Sequence, residues 1–232
     1  MATSTTAPPA DVLVRATRLE VGYDLPVCPP VTFTLAAGEL LAVVGANGTG
    51  KSTLLRTVVG QLEPLAGTVT VPGGDPRSRD FRASVAADLG DDAFFPALTA
   101  VEHLLLTCYG HGVPAPREVV DQLVEEFGLT TRADALPAAL SSGQRRRLLL
   151  AAAFARPRSL LVLDEPEQRL DPGMRADLVE RLRAEREAGG AALVATHDPA
   201  VVRGAATAVL VLGEDRAALA APADGAAALE LL

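Results

Sequence analysis

The 232 residues (24.0 kDa) fit one large domain, or a core with an inserted subdomain. A formal net charge of -8 disfavours nucleic acid as a general partner, and no run of about 18 apolar residues exists that would cross a membrane unaided. Apolar residues make up 49%, enough for a sizeable core, but Trp is absent and aromatics are 3%, so that core must be built from Ala, Val and Leu.

Residues 1–10 lack the basic start and apolar stretch of a secretory signal and read as a short disordered leader. Residues 11–22 and 31–36 carry alternating and β-branched residues about a turn at Cys28-Pro-Pro30, which predicts an antiparallel pair. A buried strand at 40–44 follows, then a glycine-rich loop, then a helix over about 51–61. A short strand is predicted at 67–71. Between about 90 and 157 the pattern turns helical, with helices expected at 99–109, 115–128 and 143–156 between Pro and Gly punctuation. Strands return at 159–163, 191–195 and 207–212, with a helix over about 172–188. The Ala-rich stretch from about 215 is ambiguous. Cys28 and Cys108 are too far apart for a paired metal motif, and His103 and His111 beside Cys108 match no zinc spacing, so both thiols read as reduced and structural.

The segment Gly45-Ala-Asn-Gly-Thr-Gly-Lys-Ser-Thr53 fits the phosphate-binding pattern G-x-x-x-x-G-K-[ST], in its proper setting between a strand and a helix start. Backbone N–H groups and the helix dipole would gather positive charge there, and the glycines allow close approach of a phosphate. Gly45, Asn47, Gly48, Gly50, Lys51, Ser52 and Thr53 are the expected nucleotide-binding residues. Lys51 would reach the β- and γ-phosphates, and Ser52 would ligate Mg²⁺.

Downstream, Leu160-Leu-Val-Leu-Asp-Glu-Pro166 is an apolar strand ending in two carboxylates, where α/β folds collect ligands. Asp164 there can hold Mg²⁺, and Glu165 can orient and deprotonate a water. Leu140-Ser-Ser-Gly-Gln144 places Ser, Gly and an amide at another helix N-terminus, a second anion site or an ordinary cap. The run Arg145–Arg147 reads as a solvated helix face, and Met174 as packing.

In that order, residues 45–53, 140–144, 160–166, Leu170-Asp-Pro172 and Thr196-His-Asp198 resemble the nucleotide-binding subunit of an ABC transporter, from about residue 12 to 213. The resemblance implies an α/β P-loop NTPase with a RecA-like core, an antiparallel β-subdomain and an inserted helical subdomain, in an ATP-binding domain spanning 11–213 before a tail at 214–232. It implies ATP and Mg²⁺ as cofactors, and a head-to-tail dimer in which Ser141 and Gly143 contact the γ-phosphate held by a second ATP-binding subunit. Asp171 would lie at the inter-subunit loop or simply cap a helix, His197 would sense the γ-phosphate, and Tyr23 would stack on adenine or pack at its turn. A separate transmembrane permease would dock on the helical insertion around residues 94–102, where Phe94 and Phe95 form an exposed knob or pack inward. The expected location is cytoplasmic, on the inner face of the cell membrane.

Three positions depart from the family pattern. The Gln usual at the start of the insertion is missing; Phe95-Pro-Ala-Leu-Thr99 aligns it with residues 90–92, so Asp91 or Asp92 would replace it as a metal ligand. That change implies ATP binding with slow or partner-dependent hydrolysis. Ser142 stands where Gly is common, and Glu167-Gln-Arg169 where Thr-Asn-Gly is typical. The alternatives to a transport ATPase are a regulatory ATP-binding module and a soluble ATPase of the same family.

Overall fold

The computed structural model describes residues 11–90 and 93–231. β1 (Val12–Glu20) pairs antiparallel with β2 (Val31–Ala36), as the alternation predicts, and on its other edge with β4 (Ala66–Thr70). Val14, Ala16, Val31, Phe33 and Leu35 face inward and are buried, while Arg15, Thr32 and Thr34 face out.

A second sheet of six strands carries the rest of the fold, in the order β5-β6-β7-β3-β8-β9. These are β3 (Leu40–Gly45), β5 (Val85–Asp88), β6 (Leu160–Asp164), β7 (Ala191–Ala195), β8 (Ala208–Leu212) and β9 (Ala217–Ala220). All pair in parallel except β9, which runs antiparallel to β8. Both faces are covered, which explains the unbroken apolar runs. In β3, Leu40, Ala42 and Val44 join one core, and Leu41 and Val43 the other. α1 (Lys51–Val58) lies in the second core with the antiparallel sheet, through Leu54, Leu55 and Val58.

The insertion is the crossover between the neighbouring strands β5 and β6, and holds α3 (Ala100–Gly110), α4 (Pro116–Glu126) and α5 (Ser142–Ala155). Each start is written in the sequence. Thr99 and Glu102 form a reciprocal capping box on α3, Pro116 opens α4, and Ser141 with Gln144 caps α5. α6 (Pro172–Glu187) and α7 (Pro199–Ala205) then flank β7 in the chain.

Three elements escaped the sequence reading: α2 (Arg79–Ser84), β5 and α7. α2 and β5 are short, abut without a turn and carry charged residues, so neither repeats long enough to show a period. The Ala-rich stretch after 215 is structured: β9 extends the sheet and α8 (Pro222–Glu230) packs on β8 and β3. Cys28 and Cys108 are buried free thiols, and burial pushes both above the ordinary thiol range. Among the described residues no helix is long and apolar enough to cross a membrane.

The contact of α8 with β8 gives a test whose sign is informative. A Cβ at Gly225 would sit 2.6 Å from both Cγ atoms of Val209. In an isolated helix Gly→Ala stabilises by about 1 kcal/mol. Here Gly225→Ala is expected to destabilise by about 1–3 kcal/mol through overpacking, measured by urea unfolding.

Candidate functional site

β3 ends at Gly45, and the chain turns through the glycine-rich loop into α1. Gly50 adopts φ 90° at the helix N-cap, and a Cβ there would lie 2.7 Å from Val27 Cγ2, so only glycine fits. The Thr49 hydroxyl donates to the Ala46 carbonyl at 2.9 Å and tightens the loop. The N-terminus of α1 has no side-chain cap and no acidic residue in its first turn. Its N–H groups and dipole therefore present positive charge to an anion. Asn47 and Gly48 lie exposed at the tip, and Thr53 is half-buried in the first turn.

Lys51 is buried, and its Nζ donates to the carbonyls of Gly45 (2.9 Å) and Ala46 (3.0 Å). Burial pulls its pKa below the ordinary lysine value, while Glu165, Asp164 and Glu167 act to raise it. The parallel strands bring those carboxylates to the same end of the sheet as the loop, since β7 alone separates β6 from β3.

Asp164 ends β6, where the Ser52 hydroxyl hydrogen-bonds its carboxylate. Its Oδ1 is buried without a hydrogen-bond partner among the described residues. Burial, the largest cause, raises its pKa; Ser52 works against this, and Glu165 adds to it. A hydroxyl beside a buried carboxylate oxygen with an open lone pair is a fitting donor set for a hard divalent cation, which binds few protein oxygens alongside phosphate and water.

Glu165 follows at φ 45°, a left-handed conformation rare outside glycine. Its Oε1 lies 3.1 Å from His197 Nε2, and its Oε2 accepts a hydrogen bond from Gln168 Nε2. A cleft of about 150 Å³ opens here, lined by Ser52, Gly90, Arg146, Asp164, Glu165, Gln168 and Arg169. Lys51, Ser52, Asp164, Glu165 and His197, chosen from the sequence, thus converge on one place. Asp91 lies outside the described residues.

Ser141 and Gly143 stand elsewhere. Ser141 is exposed, accepts from the Gln144 N–H at 3.2 Å as the cap of α5, and does not line the cleft. Asp171 caps α6 by accepting from the Met174 N–H at 3.0 Å, and it also pairs with Arg147. The Met174 N–H, ahead of Arg147, holds its carboxyl below the ordinary range. Tyr23 is 69% exposed, on the turn whose Val27 abuts Gly50 of the loop. Phe95 is 60% exposed, whereas Phe94 packs partly against the core.

Two groups important to the site were missed, one through a misreading. The Arg145–Arg147 run is not a uniformly solvated face: Arg146 is 6% exposed. It falls on the same helix face as Leu150 and Ala153, at four- and seven-residue spacing, and that periodicity was the available signal. Its guanidinium pairs with Asp88 at 2.7 Å and donates to the carbonyls of Asp164 (3.1 Å), Glu165 (3.2 Å) and Pro166 (3.4 Å). The second is Glu167, also buried. Its Oε1 accepts from the Thr196 hydroxyl (2.7 Å) and the His197 N–H (2.8 Å). Nothing in its local pattern signals that role.

The raised pKa of Asp164 gives a linkage prediction. Its ionised form is disfavoured in the fold, so the stability of the neutral form is present at low pH and lost as pH rises through the folded pKa. Asp164→Asn removes that cost. Without nucleotide or metal it should unfold at an equal or higher temperature than the parent at pH 8, and Mg²⁺–ATP should stabilise it far less. Thermal melts with and without Mg²⁺–ATP read both effects.

The model of the ABC transporter family matches residues 28–168. The energy-coupling factor transporter ATP-binding protein EcfA1 of Lacticaseibacillus paracasei is 36% identical over 175 residues, 72% of this chain and 63% of that protein. The Nod factor export ATP-binding protein I of Sinorhizobium fredii is 36% identical over 194 residues, 81% of this chain and 56% of that protein. The chain therefore spans less than two thirds of the length of these two relatives. The cytochrome c biogenesis ATP-binding export protein CcmA of Bordetella parapertussis is 39% identical over 171 residues, 72% of this chain and 76% of that protein. Among solved structures, an ATP-binding subunit of an ABC transporter superposes with TM-score 0.83 at 28% identity, covering 91% of each chain. A dimeric ATP-binding cassette in a post-hydrolysis state with ADP and Pi shares the fold, at TM-score 0.80 and 21% identity over 90% of this chain and 99% of that one. The fold is that of the P-loop NTPases with an antiparallel β-subdomain, as expected from the sequence, and the chain belongs to the ABC transporter family.

Proposed function

We propose that this domain binds and hydrolyses Mg²⁺–ATP as one half of a head-to-tail dimer that powers a membrane transporter through a separate permease. The observation that carries the reading is the convergence of the uncapped α1 N-terminus, Lys51, the Ser52–Asp164 pair and the Glu165–His197 pair on one cleft. Loop amides around Gly45, Asn47, Gly48 and Gly50, with Thr53, hold the phosphates, and Lys51 turns from its carbonyl partners to the β- and γ-phosphates. Ser52 and Asp164 would hold Mg²⁺, which would supply positive charge to offset that on the phosphates. Glu165 takes the proton of the attacking water, and His197 meets the γ-phosphate. Tyr23 offers its exposed ring to adenine.

The exposed Ser141 and the half-buried Gly143 then serve the nucleotide of a second subunit, with Asp171 beside them. An ATP bound between two copies joins them, and its hydrolysis releases them. A larger cleft of about 1030 Å³, lined by Arg79, Arg82 and Arg156 and by the exposed rings of Phe95 and Tyr109, lies between β5 and the insertion. Its basic, aromatic lining suits an acidic amphipathic helix of the permease, placing the domain against the cytoplasmic face of the membrane. Net charge -8 argues against nucleic acid as partner.

Glu165→Gln should retain Mg²⁺–ATP, lose turnover by about 100-fold or more, and accumulate as a dimer by light scattering. The parent should return to monomer as ATP is consumed. A variant that binds ATP yet stays monomeric at every concentration would contradict the composite site.

A further inference from the structure

We propose that Gln168 is a positioning residue for hydrolysis, holding the Glu165 carboxylate through a carboxamide hydrogen bond from its own turn. The inference rests on the ATPase role of Glu165 argued above. Gln168 lines the cleft with Ser52, Asp164 and Glu165, and its Nε2 donates to Glu165 Oε2. His197 Nε2 stands 3.1 Å from Oε1, so the two carboxylate oxygens are held from two different loops.

The turn that delivers Gln168 is built for that contact. Glu165 and Arg169 at its ends both take left-handed φ angles, 45° and 62°. Side chains with a Cβ hold that conformation only at a cost, which the surrounding structure must offset. The Gln168 N–H closes the turn on the Glu165 carbonyl at 3.1 Å. Between them, Glu167 points inward and pins the turn to the Thr196 hydroxyl and the His197 N–H. From the other side, Arg146 holds the Asp164, Glu165 and Pro166 carbonyls. The Glu-Gln-Arg sequence that departs from the family pattern is thus one unit. Its first residue anchors the turn to the His197 loop, and its second reaches the carboxylate.

Gly90 borders the same cleft with no side chain to offer. A Gln carries two N–H donors and a carbonyl acceptor. With one N–H on Glu165, the second N–H and the carbonyl remain for the attacking water. In the step itself the water oxygen bonds to the γ-phosphorus, the bond from that phosphorus to the bridging oxygen breaks, and ADP leaves with the bonding electron pair. The water proton passes to Glu165. Gln168 gains and loses no bond; it fixes where the carboxylate stands.

Single-turnover hydrolysis of γ-labelled ATP with Mg²⁺, alongside titration with a fluorescent ATP analogue, tests the proposal on the full chain. Gln168→Ala should slow the chemical step about 10- to 100-fold, as expected for a misplaced base, with nucleotide affinity within about twofold of the parent. Gln168→Asn should recover less than half of the lost rate, since its amide is one carbon shorter. Added to Glu165→Gln, Gln168→Ala should change the rate by less than about twofold, because the carboxylate it positions is gone. A Gln168→Ala rate equal to the parent, a loss explained by weaker ATP binding, or a fully additive double variant would overturn the assignment. A parent that binds ATP and never splits it would overturn the hydrolytic reading as well, a result distinct from all three.

Discussion

Negative charge gathered at one end of a parallel sheet is the constraint on which the rest of this structure depends. Asp164, Glu165 and Glu167 come from a single segment, and Lys51 is buried among them. The strain of that arrangement is visible in opposite directions. Burial drives Lys51 toward its neutral form, and it drives Asp164 toward its own. Asp164 Oδ1 and Glu167 Oε2 are buried without hydrogen-bond partners among the described residues. A divalent cation with a polyphosphate supplies what such a site lacks, positive charge for Asp164 and negative charge for Lys51 and the α1 N-terminus.

Arg146 connects that site to the helical insertion. Its guanidinium lies on α5, which Ser141 caps and whose first turn carries Gly143, and it bonds to Asp88 at the end of β5 and to the backbone where β6 ends. Removing one partner of a buried pair strands the other charge, typically at a cost of about 3–5 kcal/mol. The link therefore holds the exposed cap of α5 in fixed relation to Asp164 and Glu165. A Cβ at Gly143 would lie 2.8 Å from the Arg169 carbonyl, so the cap and the 165–169 turn are also in direct contact. The insertion is thus tied to the 165–169 turn at two points.

Much of the fold was legible because its strands are uniformly apolar and its helices announce their starts. The β3–loop–α1 unit, β6, β7 and the three insertion helices fell close to their expected places. β5 and α2 did not, since four and six residues give periodicity no room. For the site, the loop and the Asp164–Glu165 pair were readable from residue type and order alone. Arg146 was partly readable from its helix face. Glu167 and Gln168 were not: what they do depends on a left-handed turn and on a loop about 30 residues away, and local sequence encodes neither.

The central claim is that the phosphate loop is half of a site completed by the α5 cap of a second copy. Hydrogen–deuterium exchange on the Glu165→Gln chain tests it most directly, comparing the free protein with the Mg²⁺–ATP form. Exchange at residues 45–53 should slow at all protein concentrations. Exchange at residues 141–147 should also slow, increasingly as concentration rises. Protection confined to 45–53, with 141–147 unchanged at any concentration, would contradict it.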